Sequence, residues 1–334
     1  MNDKTTVWDL HAHFIPPGLA QDMRDGRAVD GVRTETGLDG QEFVVHRQGP
    51  RYPLSPGLYD VDARLGIMDE MGIDTAVVSL SPTLLMYWVE PSDAVTHAQR
   101  VNEQLAAAVA LAPDRLLGSA HVPMQDPDAA VAEVQRATGE LGLRGVQIAP
   151  MVSDRTLDED DLFPVLEAIE QAGVPLTLHP YFVGAGHRPG LDKYYLTNLA
   201  GHPYQTAIGA TRLIMSGALD RVPDLEVVLV HGGGYLPYQV GRLDHGFDVR
   251  PEARACQEKP SSYLRRFTFD TLAHSDRSLQ FLIDLVGADR VAYGTDFPYD
   301  MGGGPADEQL RGVTLDAEQN RAIRAGNAQR LYHR

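Results

Sequence analysis

The sequence predicts an α/β fold, a single (β/α)8 barrel of the TIM type covering residues 1–334, and three observations carry that reading. Short apolar, β-branched runs alternate with stretches of helical period, eight units in all, which is how a parallel sheet with right-handed crossovers is written. No Gly-x-Gly-x-x-Gly turn follows the first strand, as an open dinucleotide-binding sheet would have. Histidine or aspartate stands at the end of four of the strand runs, on the side where a parallel barrel opens its mouth.

The first strand is Val7-Trp8-Asp9-Leu10-His11-Ala12-His13-Phe14, closed by Pro16-Pro17-Gly18. Residues 18 to 60 show no sustained helical period and read as an insertion. Within it Val32 to Thr36 and Glu42 to His46 flank Gly37-Leu38-Asp39-Gly40 as a hairpin. An insertion at the carboxyl end of a barrel strand is placed to cover an active site. A helix over Asp62 to Met71 stops at Gly72, and Thr75 to Leu80 is the second strand. Helices over Ser92 to Leu111, Asp128 to Glu140 and Leu162 to Gln171 then alternate with strands over Leu117 to Val122, Gly145 to Ile148 and Pro175 to His179. Helical segments over 191 to 221, interrupted near His202-Pro203, lead to Glu226 to His231 and a helix after three glycines. The strand Thr268 to Ala273, the helix Ser278 to Val286, the strand Arg290 to Gly294 and a helix over 315 to 331 complete the set. No linker or shorter repeat divides the chain, so one domain is expected.

The charge balance narrows the partners. With 46 acidic against 29 basic residues the net charge is −17, which repels nucleic acid and anionic membrane alike. No apolar run approaches the roughly 18 residues of a membrane span, and nothing before residue 20 resembles a secretory leader. A single cysteine, Cys256, excludes an internal disulfide framework, and a cytoplasmic location is the expectation.

The chemistry-bearing residues sit at strand ends. His11 and His13 are two apart on one strand, so their side chains share a face and can converge on one ion. His179, His231 and Asp296 close later strands and face the same mouth. Each has a structural alternative: solvated histidines on an edge strand, His179 capping a strand, His231 bonding a carbonyl, Asp296 as a turn aspartate.

Asp9-x-His11-x-His13, Leu178-His179-Pro180, His231-Gly232-Gly233-Gly234 and Gly294-Thr295-Asp296-Phe297-Pro298 together resemble the amidohydrolase superfamily. Within it, the chain is most similar to the branch of 2-amino-3-carboxymuconate 6-semialdehyde decarboxylase and related nonoxidative decarboxylases. The resemblance extends through Met86-Tyr87-Trp88, Pro123-Met124-Gln125, Gly145-Val146-Gln147-Ile148 and Gly326-Asn327-Ala328. It implies that His11, His13, His179 and Asp296 hold one divalent metal ion, zinc first and manganese second, with a water completing the shell. His231 is implied as the general acid/base, with Asp296 beside it in the catalytic machinery. Three neutral imidazoles and one carboxylate would leave one positive charge on the ion, enough to acidify bound water. The fourth strand ends Gln147-Ile148-Ala149 without lysine, so the carbamylated bridge of binuclear relatives has no counterpart.

The resemblance also implies a clamp for a small anionic carboxylate substrate. Arg242, eleven residues after His231, corresponds to an arginine donated to the neighbouring subunit of a homodimer. Arg51 in the insertion is the second arm, with Arg47 as the alternative, since a guanidinium fork fits a carboxylate bidentately. Trp88, Asn198 and Tyr299 belong to the implied pocket wall. Asn198 stands where the family has tryptophan, Tyr299 where it has phenylalanine, and His202 replaces an apolar residue, so a more polar wall and a different natural substrate are expected. The expected function is metal-dependent nonoxidative decarboxylation of a small unsaturated or aromatic acid, with metal-bound water and His231 protonating carbon as CO2 leaves. Hydrolysis or hydration on the same scaffold is the alternative, and a metal-binding scaffold without turnover the third.

Overall fold

The structure is a computed structural model that describes residues 6–181 and 190–332. Eight parallel strands pair in chain order: β1 (Trp8–Phe14), β2 (Thr75–Leu80), β3 (Leu116–His121), β4 (Gly145–Ile148), β5 (Leu176–Leu178), β6 (Val227–Leu229), β7 (Phe267–Asp270) and β8 (Val291–Ala292). The ring closes between its ends, because Leu10 N–H donates to the Tyr293 carbonyl at 3.0 Å and His13 N–H to the Phe297 carbonyl at 2.8 Å. This is the expected α/β barrel. Strands buried on both faces need apolar side chains in and out, and Val77, Val78, Val146, Ile148, Val227, Val228 and Leu229 supply them.

Helices between the strands begin and end where the sequence places caps. Asp60 accepts from Ala63 N–H to start Val61–Met71, and Gly72 ends it in the left-handed conformation at φ 71°. The interruption expected at His202-Pro203 is a π-turn over Thr197–Gly201 that runs directly into the helix His202–Met215. Pro203 lies in that helix's first turn, where a missing N–H leaves nothing unpaired. The floor of the barrel is closed by the last helix, whose Ala328, Leu331 and Tyr332 pack with Trp8 and Leu10.

The insertion departs from the sequence reading in two ways. The helix Pro17–Arg24 was not expected, because two turns with Leu19, Ala20 and Met23 buried are too short to display a period. A third strand, Arg51–Pro53, joins the expected hairpin of Arg33–Thr36 and Glu42–Val45. Val32, Val44, Leu54 and Leu58 form a second core with Leu80 and Leu84 at the carboxyl end of β2, so the insertion is anchored at the barrel mouth.

Two histidines outside the cluster at the strand ends make stability depend on acid. His97 donates to the Leu84 carbonyl at 2.9 Å, and burial lowers its pKa to about 4; burial does the same to His46 in the insertion, also to about 4. In the unfolded chain both titrate near 6.5, so between pH 6.5 and 4 the unfolded state binds more protons and stability falls as pH falls. The urea midpoint should therefore drop across this window, and His97→Gln, which retains a donor for Leu84, should flatten part of the drop. An unchanged slope in that variant would show that His97 titrates normally in the folded chain.

Candidate metal centre

His11 and His13 lie on β1, His179 directly follows β5, and Asp296 follows β8. Their ligand atoms all lie within 4.8 Å of one another, and all four residues are buried. Pairing between β1 and β2 slips between Asp9 and Ala12, so the simple alternation expected of the strand is re-aimed locally. His11 and His13 still converge, with ring centroids 5.1 Å apart. His13 Nε2 is 2.9 Å from Asp296 Oδ1 and 3.2 Å from His179 Nε2, while His11 Nε2 lies 3.4 Å from the same oxygen.

The tautomers follow from the outer partners. Asp270 Oδ2 accepts from His11 Nδ1 at 2.8 Å, and the Pro180 carbonyl, which can only accept, takes the bond from His179 Nδ1 at 2.6 Å. For His13 the partner is Ser79 Oγ, 3.2 Å from Nδ1. Ser79 gives its own proton to Gln147 Oε1 at 2.6 Å, and the Gln147 amide is fixed by donating to the Leu80 carbonyl at 2.9 Å. The outer bonds therefore engage Nδ1 of all three rings and leave Nε2 as the nitrogen that faces inward, where an ion would take the place of any proton. His11 Nε2 is buried without a hydrogen-bond partner, an orphan that a cation would satisfy. The donor set fits one divalent ion.

Electrostatics agree with the geometry. Burial works against ionising Asp296, but His11 and the other imidazoles hold its pKa well below the usual carboxylate range. Burial keeps His13 neutral, with its pKa lowered to about 4, and pushes His179 well below 6.5. His11 is the exception: burial disfavours its charge, yet Asp296 and Asp270 outweigh burial and raise its pKa to about 10.

His231 stands beside this group without joining it. Its Nε2 is 3.5 Å from Asp296 Oδ2, the oxygen turned away from the three other imidazoles' common partner, Oδ1. Both His231 and Asp296 adopt φ 56°, a left-handed conformation that costs a non-glycine residue about 1–3 kcal/mol and persists where surrounding bonds fix it. The glycines after His231 permit close packing; a Cβ on Gly234 would lie 2.1 Å from the Pro203 carbonyl oxygen.

Two lobes of a cavity, about 690 and 560 Å3, meet at His231, Asp296, Asn198 and His202. The larger is lined by Arg51, Tyr52 and Tyr299, with the Arg51 guanidinium 3.4 Å above the Phe43 ring. Tyr52 and Thr83 share a hydroxyl hydrogen bond of 2.7 Å, and Tyr299 bonds Ser81. The expected residues divide here. Arg51, Asn198 and Tyr299 line the cavity, whereas Arg47 is exposed, 3.6 Å from Asp30, and lines neither lobe. Trp88 also stands back from both: its Nε1 donates to Asp30 at 2.7 Å and its ring stacks on Tyr181. Arg242 is exposed on the helix Leu236–Val249 and lines neither lobe of its own chain. Sequence reasoning missed Asp270, Ser79, Gln147 and Tyr52. Asp270 alone carried a readable signal, an acidic residue ending an otherwise apolar strand.

Comparison with known proteins agrees with this centre. The amidohydrolase family profile matches residues 8–334, and the chain belongs to that family. It is 33% identical over 305 residues to 2-amino-3-carboxymuconate-6-semialdehyde decarboxylase of Dictyostelium discoideum, covering 88% of this chain and 82% of that one. It is 31% identical over 321 residues to gamma-resorcylate decarboxylase of Polaromonas sp., covering 89% and 94%. The fold also matches the crystal structure of a dihydroxybenzoic acid decarboxylase from Polaromonas sp. JS666 with bound manganese and the inhibitor 2-nitroresorcinol. That match has a TM-score of 0.78 at 26% identity and covers 98% and 97% of the two chains.

Alanine at His11, His13, His179 or Asp296 should lower the metal content of purified protein, each removing one bond to the ion. His231→Ala should keep near-full occupancy. Elemental analysis of the five variants checks this, and an emptied site in His231→Ala would mean the ligand set is drawn wrongly.

Proposed function

We propose that this chain is a metal-dependent nonoxidative decarboxylase of a small aromatic or unsaturated carboxylic acid. The observation that carries the reading is His231, an acid/base group 3.5 Å from the outer oxygen of Asp296, inside the cavity and surplus to the metal shell. Its relatives are carboxy-lyases, and the chain is an enzyme of that class. A divalent ion held by His11, His13, His179 and Asp296, with zinc our first assignment and manganese the other, would supply Lewis-acid stabilisation of substrate oxygens. His231 delivers a proton to the carbon bearing the carboxylate, the bond to the carboxylate breaks, and its electron pair restores the conjugated system as CO2 leaves. Arg51 reaches the larger lobe with a guanidinium suited to a second acidic or phenolic group, and Asn198 and Tyr299 give that wall hydrogen-bonding character.

The unit of function is a homodimer. Tyr238, Arg242 and Val249 repeat at helical spacing along one face of Leu236–Val249, and Tyr238 and Val249 are 79% and 54% exposed. The Tyr238 ring neighbours the exposed Phe281, and both line the smaller lobe beside His231. A second copy covering this face would bury the aromatic patch and carry its own Arg242 toward a neighbouring cavity. A cytoplasmic setting suits an enzyme of a small acid with one buried cysteine, Cys256, and no helix among the described residues is long and apolar enough to cross a membrane.

Turnover in D2O of carboxylated muconates, hydroxybenzoates and pyrimidines by metal-loaded protein should release CO2 and leave deuterium on the vacated carbon. His231→Ala should reduce kcat by about 100-fold or more. Oxygen incorporation from labelled water without CO2 release would assign hydrolysis or hydration instead.

The dimer is tested by complementation. His231→Ala and Arg242→Ala chains, each inactive alone, should regain up to about a quarter of wild-type activity when mixed, since half the dimers would hold one competent site of two. No rescue from chains shown to exchange would remove Arg242 from a neighbour's site.

A further inference from the structure

Asp270 is the last residue of β7, and its carboxylate is fully buried against three backbone N–H groups and the His11 ring. Oδ2 accepts from His11 Nδ1 at 2.8 Å and from His231 N–H at 2.9 Å. Oδ1 accepts from Gly232 N–H at 2.7 Å and from Leu272 N–H at 3.1 Å. One oxygen thus holds both the ring of a proposed metal ligand and the backbone of the proposed acid/base. The latter is the residue whose φ of 56° needs outside support. The approach is close, and the segment after β8 places a glycine beside it: a Cβ on Gly294 would lie 3.0 Å from His11 Cβ and 3.1 Å from Asp270 Cβ.

We propose that Asp270 is a positioning residue that couples the two halves of the centre, fixing His11 as an Nε2 ligand and holding the His231 turn at the distance from Asp296 that proton delivery requires. The inference rests on the reading of His231 as the acid/base. Ligand imidazoles commonly give their second N–H to a carboxylate, and losing that partner weakens metal binding about 10- to 100-fold. Here the same carboxylate also carries the turn of a residue outside the ligand set, so its loss acts on affinity and on turnover separately.

Asp270→Asn is the informative change because it keeps size and removes only acceptor capacity. All four partners are N–H groups, so whichever way the amide turns, its NH2 faces two donors. With the NH2 toward His11, that ring is stabilised as the tautomer with its proton on Nε2, the nitrogen the ion needs. The variant should bind Mn2+ and Zn2+ about 10- to 100-fold more weakly in chelator competition. Its kcat at saturating metal should remain at least about tenfold below wild type, since restoring the ion does not restore the His231 turn. In zinc-loaded wild type, imidazole nitrogen NMR should show His11 bound through Nε2, with a strongly hydrogen-bonded proton on Nδ1.

Each readout has an overturning result. Unchanged metal affinity in Asp270→Asn, or His11 ligating through Nδ1 in the wild type, removes the orienting role. Full recovery of kcat at saturating metal removes the coupling to His231. Should the asparagine variant fail to fold, Gly294→Ala displaces the pair with the carboxylate intact and should weaken metal binding; wild-type affinity there would count against the close approach on which the coupling depends. If wild-type protein shows no decarboxylation at all, the proposed function fails while metal affinity and the His11 tautomer still decide the orienting role.

Discussion

The closing seam of the barrel is the constraint on which the rest depends. Three of the four ligands, His11, His13 and Asp296, come from the two ends of the ring, so the centre exists only where β1 meets the segment after β8. Asp296 N–H donates to the His11 carbonyl at 2.7 Å, which ties a ligand's backbone directly to another ligand's. Asp9 bridges the same seam, accepting from Thr295 N–H at 3.0 Å and from the Thr295 hydroxyl at 2.5 Å. Burial raises the Asp9 pKa to about 6 in spite of those bonds. Arg64, wholly buried, donates to the His13 carbonyl and lies 4.5 Å over the Phe297 ring. Opposite charges placed under the ligand backbones are expensive to desolvate, which marks this seam as built for position more than for stability.

Most of the architecture was legible because a barrel strand and its helix each have a period, and because polar residues at strand ends contrast with apolar strands. His11, His13, His179, His231 and Asp296 all stood out on that contrast, and the family resemblance gave them roles. The supporting bonds were not legible. Ser79 and Gln147 look like ordinary strand polars until folding places them in line behind His13. Asp270 could have been singled out by the rule that found Asp296, but the two partners that tie it to the centre, His231 and His11, are 39 and 259 residues away. Trp88 and Arg47 line neither lobe of the cavity. Their positions in the chain bring them near the mouth, while Asp30, which bonds Trp88 and also accepts from Gln48, draws them to the outer side of the wall.

The metal centre and the cavity wall are separately anchored. The ligands and their partners are borne by barrel strands and the segments directly after them, whereas Arg51 and Tyr52 arrive on a three-stranded insertion with its own small core. Changes in the insertion can therefore reshape the larger lobe without moving Nε2 of any ligand. The Thr197–Gly201 π-turn does the same on the other side, setting Asn198 into both lobes just before a regular helix begins.

The seam has a further consequence for how the protein is made. Thr295 is 286 residues from the Asp9 oxygen it bonds, and the last helix, which seals the floor against Trp8, ends at Tyr332. A growing chain must keep β1 unpaired on one edge until Tyr293 and Phe297 have left the exit tunnel. Contacts of such long range form late and slowly. The metal centre therefore cannot assemble before Asp296 has been made and released, because no earlier stretch of the growing chain holds the full ligand set.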